Sequence, residues 1–171
     1  MHKVPNRGDI CKVREVISKA TGKPPRGWID PGLTETWETH DLLVEGGCDY
    51  VADWVLDDQP VWLKTRTKPI LSVPYTQECN DVAMMLTQHH KASEYCDCAR
   101  DQFEQIYADS AESARVMALS IHPYIIEAPH RLKYLRRVIE VTHSQSNWYL
   151  AVGPKAPLVK RNSRCSGAST P

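Results

Sequence analysis

The chain has 171 residues, 42% hydrophobic and 25% charged, with 21 Lys plus Arg against 21 Asp plus Glu. That is the profile of one globular domain long enough to bury a core, without the net basic field that nucleic-acid or anionic-membrane binding draws on. No apolar run approaches the roughly 20 residues of a membrane-spanning helix, and MHKVPNRGDICKVREV has no apolar signal core, so the six cysteines read as reduced thiols and the cytoplasm as the expected compartment.

In chain order, CKVREVISKAT (11–21) places Val13, Val16 and Ile17 at helical spacing before Gly22 and Pro24 stop the helix. Thr36 or Thr39 can cap a second helix over about 39–46, which Gly46-Gly47 ends. Tyr50 to Val55 is a strand candidate followed by the acidic turn Leu56-Asp57-Asp58-Gln59-Pro60, and PILSVP (69–74) is a second one, bounded by prolines. NDVAMMLTQ (80–88) suggests a short helix, and a longer one over about 93–110 gathers Tyr95, Phe103, Ile106 and Tyr107 on one face. Residues 115–121 are a nearly continuous apolar run, the pattern of a strand covered on both faces. A basic amphipathic helix over about 129–142 follows. Alternating strands and helices imply βαβ units and a parallel sheet. The organisation expected is one α/β domain over 1–150 and a basic Gly/Ser/Pro-rich tail over 151–171 that makes few contacts.

Three groups of residues carry candidate chemistry. His89, His90, Cys96 and Cys98 have metal-ligand side chains, but a Cys-x-Cys inside a helix sets its thiols about 200° apart, so they do not share one ion. No metal and no cofactor is expected. Asp49, Asp53, Asp57 and Asp58 cluster beside Trp28, Trp37, Trp54 and Trp62. Carboxylates beside indoles can hold a polar ring by its face and its hydrogen-bonding edge, although Asp in turns and Trp in cores account for the same residues. His122 ends the apolar run, and Pro123 stops the strand, which would hold an imidazole suited to proton transfer at the strand's lip.

Four stretches taken together resemble the polysaccharide deacetylase superfamily in its allantoinase-like branch: ATGKPPRGWIDPGLTET (20–36), EGGCDYVADWVLDDQPVW (45–62), ILSVPYTQECND (70–81) and ALSIHPYIIEAPHRLKYL (118–135). They stand in the family's order and span roughly 11–143. The resemblance implies a distorted (β/α) barrel that hydrolyses C–N bonds of acetylated sugars or ring amides. His122-Pro123 matches the family's closing motif, whose histidine protonates the leaving nitrogen. Taken with the carboxylate and indole cluster, the expected site has His122 and Asp53 as catalytic residues, with Trp28, Trp54, Asp57 and Asp58 binding a small-molecule amide or acetylated-sugar substrate.

The sequence departs from the family in three places. It has neither an FDDG-like stretch nor a His-x3-His stretch, Ile29 follows Trp28 where many deacetylases carry Arg, and SQSNWYLAVGPKAPLVKRNSRCSGASTP (144–171) resembles no family segment. The expectation is a partial barrel lacking its first strands, a truncated form of the enzyme. A barrel opened in this way exposes a sheet edge and part of its core. A partner chain, a homo-oligomer or a rearrangement would then be needed to cover them. The competing reading is a non-catalytic remnant, or a subunit that completes another chain.

Overall fold

The computed structural model describes residues 6–143. Asn6 opens the first helix, α1 (Arg7–Thr21): its side chain accepts from the Asp9 N–H at 3.1 Å while Asp9 accepts from the Asn6 N–H at 3.2 Å. This reciprocal cap starts α1 four residues before the apolar periodicity does, because capping chemistry rather than burial sets a helix's first turn. Gly22, at φ 75°, ends it.

The short strand β1 (Gly27–Trp28) leads through the turn at Gly32 and Leu33, both at positive φ, into α2 (Trp37–Glu45). Thr36 starts α2, with its N–H donating to Thr39 Oγ1 at 3.0 Å. Gly47, at φ 84°, turns the chain into β2 (Tyr50–Val51), and a side chain there would also crowd Arg14. Then come β3 (Val61–Leu63) and β4 (Ile70–Ser72). The sheet order is β1-β2-β4-β3, with the first three parallel and β3 antiparallel to β4 through Val61↔Ser72, Trp62↔Leu71 and Leu63↔Ile70. The sheet is therefore mixed. β3 carries too little alternation to be read as a strand, and Trp62 is 66% exposed at this edge.

Beyond the sheet the chain is mainly helical. A π-helical turn (Val82–Thr87), α3 (Ala92–Asp109), the four-residue α4 (Pro123–Ile126) and α5 (Pro129–His143) complete the described residues. The run 115–121 corrects the sequence expectation. It is no regular strand, and meets a strand-like partner only where Ser120 forms a parallel bridge with Asn80. A strand is a pairing relation, and Asn80's segment turns at once into the π-helix. The apolar run is thus left half-buried, with Ile121 44% exposed.

One apolar core gathers Ile10 of α1, Leu43 and Val44 of α2, Val51 of β2 and Ile70 of β4. A second gathers Met84, Met85, Tyr95, Ile125, Ile126 and Leu135 from the helical half. Side chains buried this fully contribute on the order of 1.5–3 kcal/mol each. Val13, Val16 and Ile17 of α1 behave otherwise: the stripe that the sequence marks as core-facing is 39%, 58% and 37% exposed. No helix among the described residues is long and apolar enough to cross a membrane.

Candidate functional site

His122 is held by Asp81. The Asp81 side chain is completely buried, and its carboxylate spends both oxygens on one residue: Oδ1 lies 2.7 Å from His122 Nδ1, and Oδ2 accepts from the His122 backbone N–H at 2.7 Å. A carboxylate oxygen only accepts, so Nδ1 carries the proton and Nε2 remains as the ring nitrogen able to meet a ligand. The local sequence explains the arrangement. Asn80 Oδ1 accepts from Val82 and Ala83 at 2.9 and 3.4 Å, which caps the π-helix and leaves the next residue's carboxylate unused by it. The Asn80–Ser120 bridge brings that carboxylate to His122, with Asp81 N–H donating to Ser120 O at 3.1 Å. Pro123 then begins α4 at a first-turn position that needs no N–H, so the histidine stands where extended chain turns into a helix. The Tyr124 ring packs edge-on against the imidazole, and Tyr75 Oη reaches Ser120 Oγ at 2.9 Å.

A cavity of about 350 Å³ lies where the chain leaves β2 and β4. Val55 to Asp58 form one wall and Pro74 to Glu78 another, with Gln102, Val116 and Ala118 between them. Asp57 and Asp58 face Arg115 at 3.9 and 3.2 Å, and the Asp58 carbonyl accepts from Val116 N–H at 2.8 Å. Asp58 is held below the usual carboxylate range, first by its hydrogen bond with Asp57 and then by Arg115. A larger groove, about 510 Å³, lies between α3 and α5 and is lined by none of the predicted site residues.

A buried acidic cluster sits just past the carboxyl ends of β1 and β2. Asp53 Oδ1 accepts from the Asp30 N–H at 2.7 Å, and the Asp30 carboxylate takes Thr34 Oγ1 at 2.7 Å and Trp28 Nε1 at 3.3 Å. Glu35 Oε2 accepts from Trp54 Nε1 at 2.9 Å and lies 3.1 Å from His40 Nε2, in angular terms short of a hydrogen bond. Glu35 Oε1 and Asp53 Oδ2 are both buried without a conventional donor. The two side chains are close enough to share a hydrogen bond, which a proton on Asp53 would supply. Burial, then the hydrogen bond and charge of Glu35, raise Asp53 to about 9. The hydrogen bonds of Asp53 and Trp54, together with the neighbouring His40, outweigh the larger single effect of burial and hold Glu35 below its ordinary value. The pair is thus one neutral acid beside one supported anion.

Solved structures match this arrangement of elements. The crystal structure of Puue allantoinase aligns with a TM-score of 0.74 at 28% identity, covering 85% of this chain and 49% of that one. A protein from Pseudomonas aeruginosa PAO1, described as a probable polysaccharide deacetylase, aligns at 0.72 and 26%, covering 82% and 47%. The chain is a partial barrel of the polysaccharide deacetylase type. It spans about half the length of the structures it matches. No family model and no curated protein sequence matches it.

Within this deacetylase-type barrel, the residues singled out from sequence fall into three places. Asp57 and Asp58 share the cavity wall. Asp53, Trp28 and Trp54 belong to the buried cluster. His122 stands apart from both in its hydrogen bonds, and its carboxylate partner is Asp81. Sequence reasoning missed Asp81, along with Glu35, His40 and Asp30. A signal for Asp81 existed: two adjacent capping residues, Asn80 and Asp81, precede a helix that needs only one. The other three carry no local pattern. Among the described residues, no group of three or more His, Cys, Asp or Glu side chains could hold a metal ion. The residues 151–171 expected to form a tail lie outside those described.

Proposed function

We propose that this chain belongs to a hydrolase of non-peptide carbon–nitrogen bonds, with His122 as the general acid. The observation that carries the reading is the Asp81 carboxylate, fully buried and committed to His122 at two points. A buried charge is costly unless its partners repay it, and this one is used to set a single imidazole's tautomer and direction. In the reaction, water oxygen bonds to the amide carbon as its proton passes to the free Nε2 of His122, and as the C–N bond breaks that proton passes from Nε2 to the departing nitrogen. Asp57 and Asp58 accept the substrate's N–H groups from the cavity wall. Trp28 and Trp54 turn their indole N–H groups inward to Asp30 and Glu35, so their rings are what they offer a cyclic ligand. Asp53 is assigned to anchoring the Asp30 loop. The test is hydrolysis of allantoin and N-acetylated chitooligosaccharides by the purified chain, followed by mass spectrometry. His122→Ala should slow turnover by about 10²–10⁴-fold; an unchanged rate would refute the role.

A second reading has its own support. The exposed stripe Val13, Val16 and Ile17, the exposed edge residue Trp62 and the half-length match all fit a subunit that completes another chain's barrel. The base that takes the water's proton would then come from that chain. Absence of turnover by the isolated protein, with the His122–Asp81 pair still seen by NMR, would favour this reading over the first.

A further inference from the structure

Cys79 and Cys98 lie 19 residues apart in sequence and 3.8 Å apart at sulfur. Cys79 follows β4 and is 1% exposed, whereas Cys98 sits on α3 and is half-buried. The Cys79 main chain is pinned on both sides. Its N–H donates to Thr76 Oγ1 at 3.0 Å, and its carbonyl accepts from the Ser120 N–H at 3.0 Å. Its thiol donates to Gln102 Oε1 at 2.6 Å, one helical turn beyond Cys98, which aims the sulfur at that face of α3. Cys96, two residues back, lines the α3–α5 groove with Arg137 and Val138 instead.

We propose that Cys79 and Cys98 are a redox-active pair that closes to a reversible disulfide in the presence of a hydroperoxide. Closure moves the sulfurs from 3.8 Å to a bond length of about 2.05 Å. The more accessible Cys98 reacts first. Its thiolate attacks a peroxide oxygen, the O–O bond breaks, Cys98 becomes a sulfenic acid, and the other oxygen leaves as water. Cys79 sulfur then attacks Cys98 sulfur, the S–O bond breaks, and a second water departs with the Cys79 proton. Two thiols and one hydrogen peroxide give one disulfide and two waters, so two electrons pass to the peroxide. Cys79 is not the residue that meets the peroxide: it is 1% exposed, and burial, then the nearby Cys98, push its thiol up to about 12.

The experiment treats the pre-reduced full chain with hydrogen peroxide, blocks remaining thiols and maps peptides without reduction. A linked Cys79–Cys98 peptide, lost on adding dithiothreitol, is the expected result. Cys98→Ser should abolish the link. Dimedone added together with peroxide should trap Cys98 in the unsubstituted chain, so the conclusion does not depend on a Cys79 variant folding. A sulfinic acid at Cys98 without a link, or disulfides through Cys11, Cys48 or Cys96 in its place, would overturn the proposal.

Discussion

Replacing Asp53 with asparagine should flatten the protein's stability against pH. Asp53 is 6% exposed, and its carboxyl is raised from an ordinary 3.8 to about 9 by burial and by Glu35. A group whose folded pKa is raised binds its proton more tightly in the native state. Its contribution is therefore fully present below about pH 4 and is progressively lost as pH rises toward 9. The slope approaches about 1.4 kcal/mol per pH unit for one group. Across pH 5 to 8 this amounts to roughly 2–4 kcal/mol, the lower figure allowing for part of the strain being shared with Glu35. Glu35 acts oppositely. Its lowered pKa gives stability above about pH 4.5 that is lost under more acid conditions, outside this window. Asparagine keeps an oxygen for the Asp30 N–H and an N–H for Glu35 Oε1, and it has no proton to lose. Urea unfolding followed by tryptophan fluorescence at pH 5, 6, 7 and 8 measures the difference. Wild type should lose stability over this range relative to Asp53→Asn by that amount. Parallel curves, diverging by less than about 0.5 kcal/mol, would refute the shared-proton account.

Asp81→Asn puts an amide where two His122 donors require acceptors, so one donor faces an N–H; unfolding free energy should fall by about 1–3 kcal/mol, and the imidazole 15N shifts should report a changed tautomer. An unaltered His122 spectrum would dissolve the pairing. Leu43→Ala opens the sheet-side core at a fully buried position and should cost about 2–5 kcal/mol in urea unfolding, whereas a loss under 1 kcal/mol would mean that this core is loosely packed. Gly27→Ala drives a methyl into the Tyr50 ring across the β1–β2 pair and should cost about 1–3 kcal/mol. The same substitution in a Tyr50→Ala background should cost much less, and an equal cost in both would exclude the steric explanation.

Much of the architecture was legible along the chain because its causes are local. The periodicities of α1, α3 and α5, the threonine cap that starts α2, the glycines that end α1 and α2, and the proline-bounded strand at Ile70–Ser72 all lie within a turn or two of the residues they control. The His122-Pro123 corner belongs here too, since a histidine before a proline that opens a helix is a short-range pattern. What the tertiary structure decided is which of these features meet. Edge strand β3 exists only through its pairing with β4, and the apolar run 115–121 stays irregular because just one of its residues finds a strand-like partner. The same holds for the site. Asp81 lies 41 residues from His122, and no spacing rule singles it out over Asp53, Asp57 and Asp58. The backbone bridge at Asn80–Ser120, not the chemistry of the side chains, chooses the carboxylate that reaches the imidazole. Side-chain type can be read residue by residue, but a hydrogen bond of 2.7 Å across such a distance in sequence depends on every element packed between its ends.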